Sequence, residues 1–261
     1  MSGAARTRAT QTSTGLGHPR VHLRRTGSTN ERARELAYVG APHGTLVTAS
    51  EQTAGRGRQG RRWSAAADSS LLMSLLLREP PRLLPLIAAV AVCEVAGEHT
   101  SIKWPNDVVV ATAGMSGGTR LAKLAGILIE GRPQEKWAVL GIGLNVAVRL
   151  DELPLELRAD AGGSAVSDAG LPAATLGLEP TDVEPTLAAL IEALERRMYE
   201  PATSTLSAWR ARDALRGREI AWADGHGRAQ GIDGTGRLIV ELADGGRTAL
   251  SAGEVHLQMM S

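Results

Sequence analysis

Residues 53–63 read TAGRGRQGRRW, and four of the eight residues from Gly55 to Arg62 are arginines. Guanidinium groups are planar forks that pair two-to-two with carboxylate or phosphate oxygens. Glycines between them let backbone N–H groups approach the same anion. The segment also spells G-x-G-x-x-G over Gly55–Gly60, which matches a dinucleotide-binding turn. Such a turn needs a strand before it, a helix directly after it and an acid about 20 residues on. A strand precedes this loop and Glu79 stands at a tolerable distance, but RRWSAAADSS follows where the helix should begin. The pattern therefore favours an anion-binding loop over a Rossmann turn, with a solvated basic loop as the plain alternative. Trp63 would either wall such a site or anchor the loop to the core.

Three further stretches carry groups suited to the same chemistry. KWPND (103–107) puts a cation, an amide and a carboxylate at one strand end, groups that suit a nucleotide phosphate and its Mg²⁺. Its plainer reading is a lysine followed by a proline turn. Lys123 opens KLAGIL (123–128) inside an apolar strand, where an unpaired ammonium is expensive to bury. It either faces solvent or meets an anion in a polar pocket, and the pocket is preferred. Strict alternation puts Lys123 with Ala125 and Ile127 on one face, and Leu124, Gly126 and Leu128 on the other. Gly141 and Gly143 in GIGLN weaken a strand unless a ligand or another backbone comes close. Neither GxxxxGK[ST] nor GxSxG occurs, which argues against P-loop hydrolysis and serine-hydrolase chemistry.

The elements that must position these groups follow from pattern. VHL (21–23) reads as a short strand, and Ser28 with Glu31 gives a capping-box signature ahead of a weak stripe at Ala33, Leu36 and Ala37. Strands are expected over 44–52 and 69–78, with the arginine loop between them. Prolines at 80, 81 and 85 introduce an apolar helix ending near Gly97. SIKW (101–104) is a strand stopped by Pro105, VVVAT and 121–130 form a hairpin, and 136–148 is a further strand. Residues 150–180 read as loop. VEPTLAALIEALERRMY (183–199) is an amphipathic helix, with a second over TLSAWRARDAL. After Arg216, short strands punctuated by Asp224-Gly225, Gly234-Thr-Gly236 and Asp244-Gly245-Gly246 predict a small β-domain of five strands.

Composition bounds the function. The chain has 261 residues, 43% hydrophobic content, no phenylalanine and a net charge of +1, too balanced for nucleic-acid binding by the whole chain. Cys93 is the single cysteine, which excludes an internal disulfide and a multi-cysteine metal site and suits a buried core position. His18, His22, His43, His99, His226 and His256 are scattered, so no protein-held transition metal is expected. No membrane span or secretory signal is seen, and a cytoplasmic protein is expected. Residues 1–20, rich in Ser, Thr, Gly, Ala and Arg, read as a disordered basic arm.

Taken in order, Ser28-Thr29-Asn30, T-x-G-R-G-R-x-G-R-x-W over 53–63, KWPND, KLAGIL and GIGLN closely resemble the motifs of biotin–protein ligases. Ser251-Ala-Gly-Glu-Val255 is similar to that family's terminal signature. The ordered set is specific, whereas no single piece is. The resemblance implies an α+β fold: a mixed β-sheet catalytic domain of the class II aminoacyl-tRNA synthetase and biotin synthetase type over residues 21–213, then a small SH3-like β-barrel over 214–261. It implies ATP and biotin as substrates, with Mg²⁺. Biotin's carboxylate becomes biotinyl-5′-AMP with loss of pyrophosphate, and a specific lysine of a biotin carboxyl carrier domain of a biotin-dependent carboxylase accepts the biotinyl group.

The residues suit that chemistry on independent grounds. Activation brings a carboxylate against an α-phosphate, a repulsion of about 4 kcal/mol at contact for an effective dielectric near 20. Offsetting it corresponds to about a thousandfold in rate, and an arginine loop with lysines does so by fixed charge.

Carried over by the resemblance, Ser28, Thr29, Gln52, Gly55, Arg56, Arg58, Lys123, Gly126 and Gly141 would line the biotin site, the last two by admitting the biotin rings to the strand backbone. Arg58, Arg61, Trp63, Lys103, Asn106 and Asn145 would meet ATP, and Asp107 would lie near Mg²⁺. Gly57 and Gly60 would be hinges of the loop. Lys123, Arg58 and Lys103 would carry catalysis, with Lys123 bridging carboxylate and α-phosphate. The segment between Asp107 and Lys123 is longer than the family's usual hairpin. Only 25 residues precede Ser28-Thr29-Asn30 beyond Thr26 and Gly27, so no operator-binding domain, and no specific DNA binding, is expected. Monomer and homodimer remain open. The enzymatic alternative is a lipoate–protein ligase; the others are a biotin- or nucleotide-sensing regulator and, more distantly, a Rossmann oxidoreductase.

Overall fold

The computed structural model of the chain describes residues 15–113, 119–153, 171–251 and 256–257. Seven strands form one mixed sheet: β1 (Arg20–Thr26), β2 (Leu46–Gln52), β3 (Ser70–Arg78), β4 (Thr100–Lys103), β5 (Asp107–Ala113), β6 (Thr119–Arg132) and β7 (Trp137–Asn145). Their spatial order is β1-β2-β3-β7-β6-β5-β4. Only β1 and β2 run parallel; every other neighbouring pair is antiparallel.

Helix α1 (Thr29–Tyr38) covers one face of this sheet, where Ala33 and Ala37 pack with Val47, Leu76, Trp137 and Val139. The opposite face belongs to α2 (Leu84–Ala96) and α3 (Val183–Tyr199). Ten residues of α2 are buried, as expected for a helix apolar on every side. Cys93 is fully buried there, and desolvation pushes its thiol up to about 11.

A short helix α4 (Ala202–Arg210) leads to a second, antiparallel sheet of β8 (Glu219–Trp222), β9 (Gly225–Ile232), β10 (Leu238–Glu241), β11 (Arg247–Leu250) and β12 (His256–Leu257), in the order β11-β10-β9-β8-β12. Leu215, Ile220, Ala229, Leu238 and Val240 share one apolar cluster with Leu71, Leu124 and Leu140 of the large sheet. Edge strand β4 is covered by the connecting segment, since Ile102 N–H donates to Arg212 O (2.7 Å) and Ala214 N–H donates to Ile102 O (3.0 Å). Trp104, in the turn after β4, is 2% exposed and donates its Nε1–H to Gly236 O (3.1 Å). A 45-residue β-unit buries too little surface to be robust alone, and these contacts supply the rest of its core.

Residues 15–20, expected to belong to the arm, are packed on the large domain. Residues 1–14 lie outside the description, but Leu16 is buried, Gly17 N–H donates to Gly44 O (2.9 Å), and Arg20 pairs two-to-two with Glu184 (2.6 and 2.7 Å). One buried leucine and one bidentate pair anchor a stretch whose composition has no apolar period. Residues 154–170, the 114–118 hairpin tip and the Ala252–Val255 part of the terminal signature lie outside the described residues.

Candidate active site

Strand register builds the floor of the main pocket. Ser74 of β3 faces Gly141 of β7, which faces Leu128 of β6; one step along, Leu72 faces Gly143, which faces Gly126. Residues two apart share a face, so three glycines lie together on the α1 side of the sheet. The N-terminus of α1 closes one end of this flat floor.

Ser28 occupies the N-cap position with extended backbone (φ −151°), yet its side chain makes no capping bond. The expected capping box is therefore absent. Gln52 takes over the work: its Oε1 accepts from Thr29 N–H at 2.7 Å and from Thr29 Oγ1 at 3.1 Å. Ser28 is left to line the pocket.

The glycines answer to protein neighbours. A Cβ on Gly141 would stand 2.1 Å from Asn30 Oδ1, and one on Gly143 would stand 2.5 Å from Trp63 Cε2. At Gly126 it would meet both the Trp63 ring (3.0 Å) and Lys123 Nζ (3.3 Å). The neighbours that come close to Gly126 and Gly141 in this structure are side chains of the protein: Trp63 and Lys123 over the first, Asn30 over the second.

Lys123 and Gly126 reach the same pocket although alternation puts them on opposite faces. A β-bulge explains this. Val108 pairs with Ala125 and Val109 pairs with Lys123, leaving Leu124 as the extra residue on β6. A bulge re-aims a side chain, so Leu124 is fully buried while Lys123 swings onto the site face. Its Nζ lies 2.7 Å from Asp107 Oδ1 and 5.7 Å from the Trp63 ring centroid. The backbone of Lys123 is also held, its N–H donating to Pro172 O (2.6 Å) and its carbonyl accepting from Ala174 N–H (2.7 Å).

The arginine loop folds back on itself as a narrow hairpin. Gly57 N–H donates to Arg61 O (2.7 Å), Trp63 N–H donates to Gly55 O (2.9 Å), and Arg62 Nη2 donates to Thr53 O (2.9 Å). A single 3₁₀ turn, Arg58–Gly60, forms its tip, with Gln59 at φ 54° and Gly60 at φ 77°. No helix follows, which removes the Rossmann reading. Arg58 Nη1 donates to Asn106 Oδ1 (3.3 Å), and Arg56 Nη1 lies 3.7 Å from Glu130 Oε1.

Of the residues singled out from sequence, Ser28, Thr29, Gln52, Arg56, Gly57, Arg58, Arg61, Trp63, Asn106, Asp107, Lys123, Gly126, Gly141 and Asn145 all line this one pocket. Gly55, Gly60 and Lys103 do not. Gly55 is glycine because a Cβ there would sit 2.4 Å from Trp63 O, so it serves the hairpin's own closure. Gly60 supplies the left-handed backbone of the tip, beyond the pocket wall. Lys103 is 8% exposed at the end of β4, paired in register with Asp107 of the pocket wall.

Sequence reasoning gave no site role to Asn30, Arg62 or the wall formed by Leu171 and Ala173, and raised Gly143 only as a glycine that needs a close neighbour. Asn30 and Gly143 lay inside quoted motifs. The 171–176 wall had no periodic signal, because it runs beside Lys123 and Asn145 through backbone bonds that any residues can make. Asn145 clamps that wall: its Nδ2 donates to Ala174 O (2.8 Å) and its Oδ1 accepts from Ser70 Oγ (3.3 Å). Among the described residues no group of three or more His, Cys, Asp or Glu could hold a metal ion, and no helix is long and apolar enough to cross a membrane.

Five basic side chains (Arg56, Arg58, Arg61, Arg62 and Lys123) and one acid (Asp107) thus converge on a pocket whose remaining wall includes Met73, Ile127 and Ile142. An apolar slot with a cationic mouth suits a ligand with a hydrocarbon body and an anionic end.

Residues 22–146 match the model of the biotin/lipoate A/B protein ligase family, and residues 216–257 match the biotin protein ligase C terminal domain. A bifunctional ligase/repressor BirA of Bacillus subtilis is 39% identical over 162 residues, covering 55% of this chain and 47% of that protein. The chain thus spans about half the length of that relative. A biotin–[acetyl-CoA-carboxylase] ligase of Mycobacterium tuberculosis is 35% identical over 257 residues, covering 89% of this chain and 87% of that protein. Among solved structures, a biotin protein ligase from Aquifex aeolicus in complex with biotin and ATP shares the fold with a TM-score of 0.69 at 24% identity, over 92% of this chain and 99% of that one.

Proposed function

This chain belongs to the biotin/lipoate A/B protein ligase family, and from that premise we propose that it is an ATP-dependent biotin–protein ligase. Catalysis is assigned to residues 21–213, with residues 214–261 as the appended β-domain. The acceptor is a lysine of a biotin carboxyl carrier domain. The observation that carries the reading is the convergence of five cations on one apolar slot, drawn from segments more than sixty residues apart in sequence.

In the first step an oxygen of the biotin carboxylate forms a bond to the α-phosphorus of ATP, and the bond to pyrophosphate breaks. Lys123, fixed by the bulge and by two backbone bonds, is the cation between the two approaching anions. Its counterion Asp107, 2.7 Å away, holds the ammonium aimed into the pocket. Arg56 and Arg58 hold the carboxylate and α-phosphate from the loop side, and Arg61, Asn106 and Asn145 meet the nucleotide. Trp63, seated on Gly126 and Gly143, supplies the apolar partition between the two ligands.

Mg²⁺ fits this donor set as an ion carried in on the phosphates. Asp107 is the single carboxylate on the pocket wall, and Mg²⁺ characteristically takes one or two carboxylates, water and substrate phosphate. Asp107 would hold such an ion, which would supply neutralisation of phosphate charge. In the second step the carrier lysine's amine attacks the acyl carbon, and AMP leaves.

Purified protein, biotin, MgATP and an apo carrier domain, read by streptavidin blot, test the proposal. Biotin transfer is expected. Transfer of lipoate with no transfer of biotin would overturn it.

A further inference from the structure

A buried polar line runs under the pocket and ends at an arginine of the loop. Asn30 is 4% exposed; its Oδ1 accepts from Ser74 Oγ at 2.6 Å, and its Nδ2 donates to Glu130 Oε2 at 2.9 Å. The other carboxylate oxygen, Oε1, faces Arg34 Nη1 of α1 at 3.4 Å and Arg56 Nη1 of the loop at 3.7 Å. Glu130 sits one register step from the floor, opposite Val139 of β7.

The two ends of this line differ in freedom. The Glu130 side chain keeps 19% exposure and the Arg56 side chain 49%. A carboxylate only accepts hydrogen bonds, so Glu130 dictates that the Asn30 amide presents its NH₂ outward and its oxygen to Ser74. The same carboxylate oxygen is shared between Arg34, the nearer at 3.4 Å, and Arg56 at 3.7 Å, and so holds the loop arginine over β6. Across the pocket, Arg58 reaches Asn106 in the β4–β5 turn. The hairpin is thereby tied on both sides of the mouth.

We propose that Glu130 is a positioning residue that latches the arginine loop to the pocket floor, acting through Arg56 on one side and Asn30 on the other. Its kinetic consequence rests on the ligase reading; the latch itself is a property of the ligand-free chain. Two effects of the carboxylate oppose each other. Its negative charge weakens the pull on an anionic ligand, and screening at this partly exposed site keeps that effect small. By holding Arg56 in place before a ligand arrives, it removes rotamer entropy that binding would otherwise have to overcome. The positional effect wins, so loss of the charge weakens binding of the acid and leaves the chemical step alone.

Glu130→Gln keeps the shape and an acceptor for Asn30 while removing the charge. The first measurement uses trypsin on the full chain without ligand. Cleavage after Arg56, Arg58, Arg61 and Arg62 is expected to rise about fivefold, the scale of one partly buried ion pair, with cleavage elsewhere and the melting temperature unchanged. Equal loop cleavage in wild type and variant overturns the latch. Should the variant melt early, Arg56→Gln breaks the same pair from the exposed side, and cleavage after Arg58, Arg61 and Arg62 is then the readout.

The second measurement is biotin-dependent ATP–pyrophosphate exchange. Glu130→Gln is expected to raise the biotin KM about fivefold with kcat within about twofold, the signature of lost uniform binding. In an Arg56→Ala background the same change should add nothing; a full multiplicative effect there overturns the route through Arg56. Absence of exchange by wild-type protein counts against the ligase reading, and the tryptic result then decides the latch.

Discussion

Gly141 and Gly143 stand two residues apart on one strand and one face, but they border different regions. Over Gly141 lies Asn30, a floor residue held by Ser74 and Glu130 and itself almost fully buried. Over Gly143 lies Trp63, the last residue of the arginine loop, whose buried Nε1–H has no partner among the described residues. A buried N–H left unpaired costs roughly 1–3 kcal/mol, so the indole's seat is shallow where the amide's is deep. The floor is organised before any substrate arrives. The ties of the loop to the floor include the Trp63 ring, the Arg58–Asn106 bond and the long Arg56–Glu130 ion pair, each of which a substrate can replace. Fixed charge belongs where bonds are made, and replaceable contacts belong where ligands enter.

Lys123 tests the floor most severely. It is the one cation of the pocket carried by a strand, and a bulge aims it. Lys123→Ala should lower the rate of adenylate formation by about 10²–10³-fold, the usual cost of deleting one preorganised transition-state contact. Single-turnover formation of biotinyl-5′-AMP measures this. A loss below tenfold would move Lys123 out of the floor's catalytic part and break the contrast with the loop.

Gly141→Ala comes next. The new methyl would lie 2.1 Å from Asn30 Oδ1, and Asn30 cannot withdraw without abandoning Ser74 and Glu130. Overpacking of this kind costs about 1–3 kcal/mol, so chemical denaturation should show a clear shift of midpoint at unchanged slope. A variant as stable as wild type would mean that the floor yields as easily as the loop.

How much of this was legible in the chain depends on which interactions do the placing. Strands β2, β3, β6 and β7 follow from apolar runs, and the arginine loop from composition. The shared face of Lys123 and Gly126 was not legible, since one extra residue at Leu124 inverts alternation and only pairing with β5 reveals it. Ser28 looked like a cap because sequence cannot show that Gln52, 23 residues beyond Thr29, takes the Thr29 N–H instead. Gly55 reads in sequence as a ligand glycine, and sequence cannot show that a Cβ there would also meet Trp63 O at 2.4 Å. Lys103 carries the charge expected of an ATP contact, but it is buried at the end of β4, opposite Asp107, and is not among the residues that line the pocket. Local chemistry named the right segments; long-range pairing decided which atoms meet.

Arg58→Ala addresses the loop alone. Its bond to Asn106 at 3.3 Å is long and only partly buried. Removing it should leave the melting temperature within experimental scatter and speed the escape of biotinyl-5′-AMP by about fivefold, as expected for one partly solvated charged contact. Rapid-quench release assays would show it. Unchanged release would remove Arg58 from the closure of the site, and a large fall in stability would show that the loop is part of the core.

Gly143→Ala sharpens the comparison with the smallest effect on stability. It repeats the chemistry of Gly141→Ala on the same strand and face, with a predicted contact of 2.5 Å to Trp63 Cε2. Here the neighbour can leave. Trp63 is carried by a loop whose other ties are replaceable, and moving it outward would also return its unpaired Nε1–H to water. The gain from solvating that group offsets part of the lost ring burial, so the net change should be under about 1 kcal/mol. The displaced loop should become more open to trypsin after Arg61 and Arg62 while the denaturation midpoint scarcely moves. If Gly143→Ala instead costs as much as Gly141→Ala, Trp63 is as firmly held as Asn30, and the loop is a wall of the pocket and not its door.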